Sequence, residues 1–114
     1  MNQNALPEID VNEALEKQSE GVVLLDVREK DEFEAGHAVG ALNIPLSELK
    51  DRIDEIDQTV ELNIICKSGG RSAQAVMALN SIGYSATNVK GGSLEWMSMK
   101  LPFVSDTGDT PKVI

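Results

Sequence analysis

One stretch of the chain, residues 62–72, joins a strand to a helix through a very short loop. Its sequence is Leu-Asn-Ile-Ile-Cys-Lys-Ser-Gly-Gly-Arg-Ser. The apolar run that ends at Ile65 predicts a buried strand, and a helical pattern begins at Arg71. Cys66, the single cysteine of the chain, lies between them on a loop with two consecutive glycines. A buried strand that passes directly into a helix is a building unit of parallel α/β sheets.

The same alternation of strand and helix patterns runs through the rest of the chain. Apolar runs predict strands at about 6–9, 22–27, 41–44, 62–66 and 85–89. Amphipathic patterns predict helices over about 11–21, 31–35, 47–56, 71–82 and 93–97. We therefore predict the α/β class, with an open, mainly parallel five-stranded sheet and helices on both faces. The domain is placed at residues 1–104, followed by a polar tail at 105–114.

Capping residues and glycines mark the expected helix ends. Asp10, Ser47 and Ser93 are predicted N-caps, because their side chains accept hydrogen bonds from the N–H groups of a first helical turn. Gly36 and Gly83 are predicted to end helices in the left-handed conformation that glycine adopts without strain. The buried stripe of the helix over 71–82 is predicted to contain Ala75, Val76, Leu79 and Ile82.

The charge of the chain limits its partners. Ten basic residues against 19 acidic residues give a net charge of −9 at pH 7, which argues against nucleic acid and against an anionic membrane surface. A small anionic substrate is compatible only where Lys67 and Arg71 make the field locally positive. No run of about 18 apolar residues is present, and no signal peptide is visible. One cysteine leaves no internal disulfide, so we expect a reducing compartment, the cytoplasm.

The loop at Cys66 is suited to hold an anion. In a strand–loop–helix turn, the backbone N–H groups of the loop lie near the positive end of the helix dipole. A thiolate is the anion that this geometry favours at Cys66. Free cysteine has a pKa of about 8.5, and cysteines at helix N-termini or beside cations fall to roughly 3.5–7.5. Ligands of open α/β sheets also bind at the carboxyl ends of strands, where Cys66 is placed.

Three roles for Cys66 are compatible with these residues. The first is a small buried hydrophobic residue at a strand end, although two glycines and an arginine are a costly choice for packing alone. The second is the nucleophile of a phosphatase-like loop, which needs a cradle wide enough for a tetrahedral phosphoryl group. The third is a carrier of sulfane sulfur as a persulfide, which needs space for one additional sulfur atom.

Four blocks of sequence occur in order at the spacing of one domain. They are Leu25-Asp26-Val27-Arg28 with Glu32-Phe33, Gly36-His37-Ala38-Val39-Gly40-Ala41-Leu42-Asn43-Ile44-Pro45, Cys66-Lys67-Ser68-Gly69-Gly70-Arg71-Ser72, and Lys90-Gly91-Gly92-Ser93-Leu94-Glu95-Trp96. Together they resemble a single-domain rhodanese, a sulfurtransferase of the rhodanese-homology superfamily. Cys66 and Arg71 enclose four residues, which resembles the sulfur-transferring form, whereas the related tyrosine and Cdc phosphatases enclose five.

The resemblance implies a role for each residue of the loop. Cys66 would be the nucleophile and the persulfide carrier. Lys67 would attract a small anionic sulfur donor such as thiosulfate, and Arg71 would close the loop and add charge. Sulfur would then pass to a thiol, to cyanide or to an acceptor protein, without a cofactor. Ser72 is expected to cap the helix, with a hydrogen bond inside the loop as the alternative. The thiolate and the persulfide would be stabilised by the backbone N–H groups of Lys67, Ser68, Gly69, Gly70, Arg71 and Ser72.

Two departures from the family pattern concern the sulfur donor. Many members carry Arg or Gln directly after the cysteine, where this chain has Lys67, and Gly70 adds no side chain before Arg71. Both count against efficient use of thiosulfate, but not against the persulfide. Two other functions stay open. One is a persulfide carrier or redox-sensing module that acts with a protein partner, and the other is a thiol phosphatase or arsenate reductase.

Several conspicuous residues are given structural roles. His37, the one histidine, is predicted to belong to the scaffold of a Gly-rich turn at 36–40 rather than to act as a general base. Asp26 and Arg28 are predicted to satisfy one another or other buried polar groups. No His/Cys cluster has the spacing of a metal site, so no metal is predicted. Structural roles are also predicted for Phe33 and Trp96 in the core and for the acidic stretches 29–34 and 48–57 at the surface.

Overall fold

The structure, a computed structural model, describes residues 5–114, and five of its strands form one parallel sheet in the spatial order β1-β6-β5-β2-β4. The strands are β1 (Glu8–Ile9), β2 (Val23–Asp26), β3 (His37–Ala38), β4 (Leu42–Asn43), β5 (Glu61–Ile65), β6 (Ser85–Val89) and β7 (Phe103–Val104). The helices are α1 (Val11–Ser19), α2 (Lys30–Ala35), α3 (Leu46–Arg52), α4 (Gly70–Ser81) and α5 (Gly92–Ser98), and a 3₁₀ turn at Ile53–Glu55 follows α3. The predicted α/β class and parallel five-stranded sheet are confirmed.

The central strand β5 is buried on both faces of the sheet. Ile64 belongs to one apolar cluster and Ile65 to the other, because successive residues of a strand point to opposite faces. The neighbouring strand β2 repeats this pattern with Leu25 and Leu24. Helices α3 and α4 contribute to the first cluster, and α1 and α5 to the second. Cys66 directly follows β5, so the fold places it at the carboxyl edge of the sheet, near its centre.

The helix starts follow the predicted caps at one position and depart from them at two. Asp10 caps α1 as predicted, and its carboxylate accepts a hydrogen bond of 2.8 Å from a backbone N–H of the first turn. Ser47 and Ser93 are not N-caps, since both lie inside the first turn of their helices. Pro45, with φ −57°, precedes α3, and Gly91, with φ 83°, precedes α5. A fixed proline φ and a left-handed glycine turn direct the chain into a helix without a side-chain cap.

Three predictions about helix ends differ in outcome. Gly83 has φ +97° and ends α4 as predicted, but Ile82 beside it is 57% exposed rather than buried, because the chain has already left the helix there. Gly36 follows α2 with φ 175°, which is extended rather than left-handed. A side chain is excluded at Gly36 for another reason. A Cβ there would overlap the backbone oxygen of Lys112 and lie 2.7 Å from the ring of Phe103.

The segment after β7 returns to α2. Residues 36–40, predicted as a loop, contain β3, which pairs antiparallel with β7. Residues 105–114 form no helix or strand, yet Asp106 N–H donates to the carbonyl of Glu34 at 2.8 Å and Lys112 N–H donates to that of Ala35 at 3.0 Å. The domain boundary at residue 104 stays a prediction, and residues 1–4 of that domain lie outside the described residues.

Candidate active site

The predicted strand–loop–helix junction is present at Cys66. Strand β5 ends at Ile65, and α4 begins at Gly70. Gly69 has φ +116°, a conformation that side-chain-bearing residues rarely adopt. Glycine is therefore required there for the chain to turn from the strand into the helix within four residues.

The sulfur of Cys66 accepts two hydrogen bonds inside this loop. Gly69 N–H lies 3.1 Å from Sγ, and the hydroxyl of Ser72 lies 3.2 Å from it. The expectation that Ser72 caps the helix is wrong, because Ser72 is already in the first turn of α4 and its hydroxyl reaches back to the sulfur. Cys66 is only 1% exposed, but donors as well as apolar groups surround its side chain.

The hydrogen bonds decide the direction in which the pKa of the Cys66 thiol moves. Burial raises this pKa, because an apolar surrounding disfavours the charged thiolate. The Ser72 hydroxyl and the backbone N–H groups of Ser72, Gly69 and Ser68 lower it, and together they outweigh burial. The pKa of the thiol therefore lies below its ordinary value, and the reactive thiolate is favoured.

Helix α5 binds the backbone carbonyl groups of the loop. Ser93 N–H donates to the carbonyl of Cys66 at 2.8 Å, and Leu94 N–H donates to that of Lys67 at 3.1 Å. A Cβ on Gly92 would lie 2.6 Å from the Lys67 carbonyl oxygen. Because N–H and C=O point in opposite directions in a trans peptide, binding the carbonyls to α5 leaves the loop N–H groups facing away from it. This contact was not predicted, although the two adjacent glycines Gly91 and Gly92 signal a close backbone approach.

Arg71 pairs with a carboxylate from a distant part of the chain. Its two terminal nitrogens donate to the Glu32 carboxylate at 2.7 and 3.0 Å. The Glu32 side chain is 16% exposed and that of Arg71 is 37% exposed. The Arg71 guanidinium lowers the pKa of Glu32, and the carboxylate in turn raises the pKa of Arg71. Glu32 was predicted as part of a solvated acidic face, and this is wrong. Its place in the first of the four sequence blocks was the available signal.

The remaining loop residues lie at the surface. Ser68 and Gly70 are exposed and Lys67 is half-buried. A Cβ on Gly70 would meet no atom within 4 Å. Within residues 5–114, no carboxylate lies within ion-pairing distance of the Lys67 amine. The exposed side of the loop at Ser68 and Gly70, here called the entrance, therefore has one cation beside it, Lys67, without a fixed counter-charge in the described part of the chain.

Arg28, Asp26 and His37 have structural contacts. Arg28 and Asp26 form a fully buried ion pair of 2.8 Å, as predicted. His37 lies in β3, and its Nδ1 is 2.6 Å from the Phe33 carbonyl oxygen. The rings of His37 and Phe33 stack at 3.7 Å, so Phe33 is a half-buried support for His37 rather than a core residue. Trp96 is fully buried as predicted, and its indole N–H donates to a backbone carbonyl at 2.9 Å.

The described residues contain neither a cluster of metal ligands nor a membrane-spanning helix. Over residues 5–114, no three His, Cys, Asp or Glu side chains are grouped so that they would hold a metal ion. None of the helices in that range has the length and apolar character needed to cross a bilayer.

Known proteins identify the fold and the family. The chain matches the family described as Rhodanese-like domain over residues 10–99. It belongs to the rhodanese-like family. This rhodanese-like chain is 36% identical to YrkF of Bacillus subtilis over 98 residues, which are 83% of the chain and 53% of YrkF. It is 35% identical to a sulfurtransferase of Allochromatium vinosum over 91 residues, which are 79% of the chain and 85% of that protein.

A solved structure agrees with this assignment. A rhodanese-related protein from Thermoplasma volcanium superposes with a TM-score of 0.80 at 32% identity, over 86% of this chain and 97% of that one. The resemblance predicted from the four sequence blocks is thus confirmed. The rhodanese-like chain spans about half the length of YrkF and most of the other two proteins.

Proposed function

We propose that this rhodanese-like chain is a sulfurtransferase that carries a sulfane sulfur on Cys66 as a persulfide. The observation that carries the proposal is the pair of hydrogen bonds that the Cys66 sulfur accepts from Gly69 N–H and the Ser72 hydroxyl. Donors arranged around a sulfur stabilise its anion, which is the reactive form. The family, and the name of the Allochromatium relative, support the same class of reaction.

In the first half-reaction, the Cys66 thiolate attacks the outer sulfur of the donor. With thiosulfate, the S–S bond of the donor breaks, sulfite leaves with the bonding electron pair, and Cys66–S–S⁻ remains. With an alkyl persulfide, RSSH, the same attack gives Cys66–S–SH and releases the alkyl thiolate RS⁻. Lys67 supplies positive charge for an anionic donor, and the N–H groups of residues 67–72 stabilise the sulfur anion.

In the second half-reaction, an acceptor takes the outer sulfur. Cyanide or a thiolate attacks it, the bond to the Cys66 sulfur breaks, and thiocyanate or a new persulfide leaves while the Cys66 thiolate is restored. The exposed positions Ser68 and Gly70 leave room at the entrance for a thiol, including a cysteine of an acceptor protein. Because the thiolate must stay reduced between cycles, the cytoplasm is the proposed location.

Intact-mass measurement tests the proposal. After incubation with thiosulfate or with 2-hydroxyethyl persulfide, the wild-type chain is expected to gain the mass of one sulfur atom, and cyanide is expected to remove it as thiocyanate. Cys66→Ser, which keeps the side-chain size but removes the nucleophile, is expected to gain no mass. A wild-type chain that gains no sulfur from either donor would contradict the proposal.

The same samples distinguish the alternative functions. A carrier without enzymatic turnover takes up one sulfur but forms thiocyanate or a new persulfide slowly unless its partner is added. A thiol phosphatase hydrolyses an aryl phosphate, which we do not expect here because the loop between Cys66 and Arg71 holds only four residues.

A further inference from the structure

The ion pair between Arg71 and Glu32 changes the charge at the entrance to the loop. Both terminal nitrogens of Arg71 are bound to the Glu32 carboxylate, at 2.7 and 3.0 Å. Glu32 belongs to α2 and lies 39 positions earlier in the chain. At 16% exposure its carboxylate is held in place rather than moving freely in solvent. One of the two cations of the loop is therefore neutralised before a substrate arrives.

The surface beside Arg71 offers little to an oxyanion. Arg71 lines a cleft of about 310 Å³ together with Val27, Glu29, Leu46 and Ser47. Two of these side chains are aliphatic, and Glu29 is acidic. Among residues 5–114, no other cation lines this cleft. Such a surface accommodates an alkyl group more readily than a charged sulfonate.

We propose that Glu32 sets the donor preference of the site by neutralising Arg71, so that an alkyl persulfide is used in preference to thiosulfate. This inference rests on the proposed persulfide chemistry of Cys66. Thiosulfate is a dianion whose sulfonate oxygens need cations or hydrogen-bond donors. An alkyl persulfide has no sulfonate group. Glu32 acts through Arg71, so it is a positioning residue.

The charge of the two donors sharpens the difference between them. Thiosulfate approaches as a dianion, whereas an alkyl persulfide carries at most one negative charge. A carboxylate fixed beside Arg71 offsets the attraction of the guanidinium for an approaching anion, and this loss scales with the charge of the donor. Glu32 thus weakens the approach of thiosulfate more than that of an alkyl persulfide.

Rate constants for sulfur uptake by Cys66 test this inference. They are measured by quenched intact-mass analysis with thiosulfate and with 2-hydroxyethyl persulfide. Glu32→Gln removes the charge but keeps the size, and we expect the thiosulfate rate constant to rise about three- to fivefold, less so at high salt. The persulfide rate constant is expected to change less than about twofold, so that the ratio of the two changes.

Matched variants separate the effect of Glu32 on Arg71 from the effect of losing any surface charge and from a failure to fold. Glu34→Gln makes the same change in the same helix, where the side chain of Glu34 forms no ion pair with any residue of 5–114, and its donor ratio is expected to equal that of the wild type. Glu32→Asp keeps the charge and is expected to restore most of the wild-type ratio. If Glu32→Gln does not fold, Glu32→Ala is measured with the same expectation.

Two results would overturn the inference. One is an unchanged donor ratio in the Glu32 variant that folds, and the other is an equal gain with Glu34→Gln. Both require a wild type that takes up sulfur, so they are distinguishable from failure of the proposed function, in which the wild type gains no sulfur from either donor.

Discussion

The Cys66 sulfur is almost completely buried. The groups around it decide whether burial keeps the thiol protonated. Burial alone would keep the thiol protonated and inert. The Ser72 hydroxyl at 3.2 Å and the Gly69 N–H at 3.1 Å reverse this tendency. Among the described hydrogen-bond partners of the sulfur, Ser72 acts through its side chain, so its contribution is accessible to substitution.

Replacing Ser72 with alanine is expected to raise the pKa of the Cys66 thiol, because a hydrogen bond to the thiolate is lost while burial still favours the neutral form. At a pH below the thiol pKa, a raised pKa leaves less thiolate, so the alkylation rate should fall by about tenfold at acidic pH. The loss should diminish as the pH rises. The pH dependence of iodoacetamide alkylation measures this directly.

Ser68→Ala provides the control for that titration. Ser68 contributes its backbone N–H, which alanine retains, and its side chain is exposed. Its alkylation profile should therefore follow that of the wild type. Equal profiles for Ser72→Ala and the wild type would mean that the hydroxyl does not bind the thiolate in solution.

At the level of elements, the loop depends on α5 as much as on α4. The first N–H groups of α5 bind the carbonyls of Cys66 and Lys67 at 2.8 and 3.1 Å. That approach is possible only because Gly92 has no side chain and has φ +60°. Helix α5 therefore orients the peptide group between Lys67 and Ser68, whose N–H helps to lower the pKa of the Cys66 thiol.

Substituting Gly92 with alanine should disturb the loop. The new Cβ would press on the backbone carbonyls of Cys66 and Lys67, and left-handed backbone is itself strained with a side chain. We expect a loss of about 1–3 kcal/mol in the free energy of unfolding and a raised pKa of the Cys66 thiol. Urea denaturation and the alkylation profile measure the two effects.

Gly108→Ala is the matched control for Gly92→Ala. Gly108 has φ +86°, but a Cβ there would meet nothing within 4 Å. Gly108→Ala should lower the free energy of unfolding through backbone strain. The reactivity of the Cys66 thiol should not change. If the thiol of Gly92→Ala titrates like that of the wild type, α5 does not orient the loop.

The elements differ in how far the sequence predicts them. Strands β2, β5 and β6 and helices α1 and α4 are long enough for their apolar period to be visible. The pair β3 and β7 has two residues in each strand, too few for any period to be visible. The pair forms only because the folded chain brings β7 back beside β3. The Arg71–Glu32 pair was also unpredicted, because it joins positions that only the folded topology brings together.

Across the whole molecule, the site is assembled from segments that are distant in sequence. Helix α2 supplies Glu32, and Arg28 ties its end to the core by donating to the Gly36 carbonyl at 2.7 Å. The C-terminal segment then covers α2 through Asp106 and Lys112, whose N–H groups bind its last carbonyls. Residues 105–114 thereby support the helix that carries the counter-charge of Arg71.

Ending the chain after Val104 tests whether that segment is needed for folding. The predicted domain ends there, so the shortened chain should fold and still take up sulfur on Cys66. It should lose about 1–3 kcal/mol in the free energy of unfolding, because two backbone hydrogen bonds and the packing on Gly36 are removed. Urea denaturation gives the stability, and intact mass gives the sulfur uptake.

Gly36→Ala, made in both lengths of chain, shows whether the lost stability comes from this contact. In the full chain the new Cβ overlaps the backbone of Lys112, and the substitution should be strongly destabilising. In the shortened chain the contact with Lys112 is gone and that with the ring of Phe103 remains, and a side chain yields more readily than a backbone held by hydrogen bonds. The cost of Gly36→Ala should therefore be smaller in the shortened chain by at least about 1 kcal/mol. Equal costs in the two chains would mean that residues 105–114 do not pack against α2 in solution.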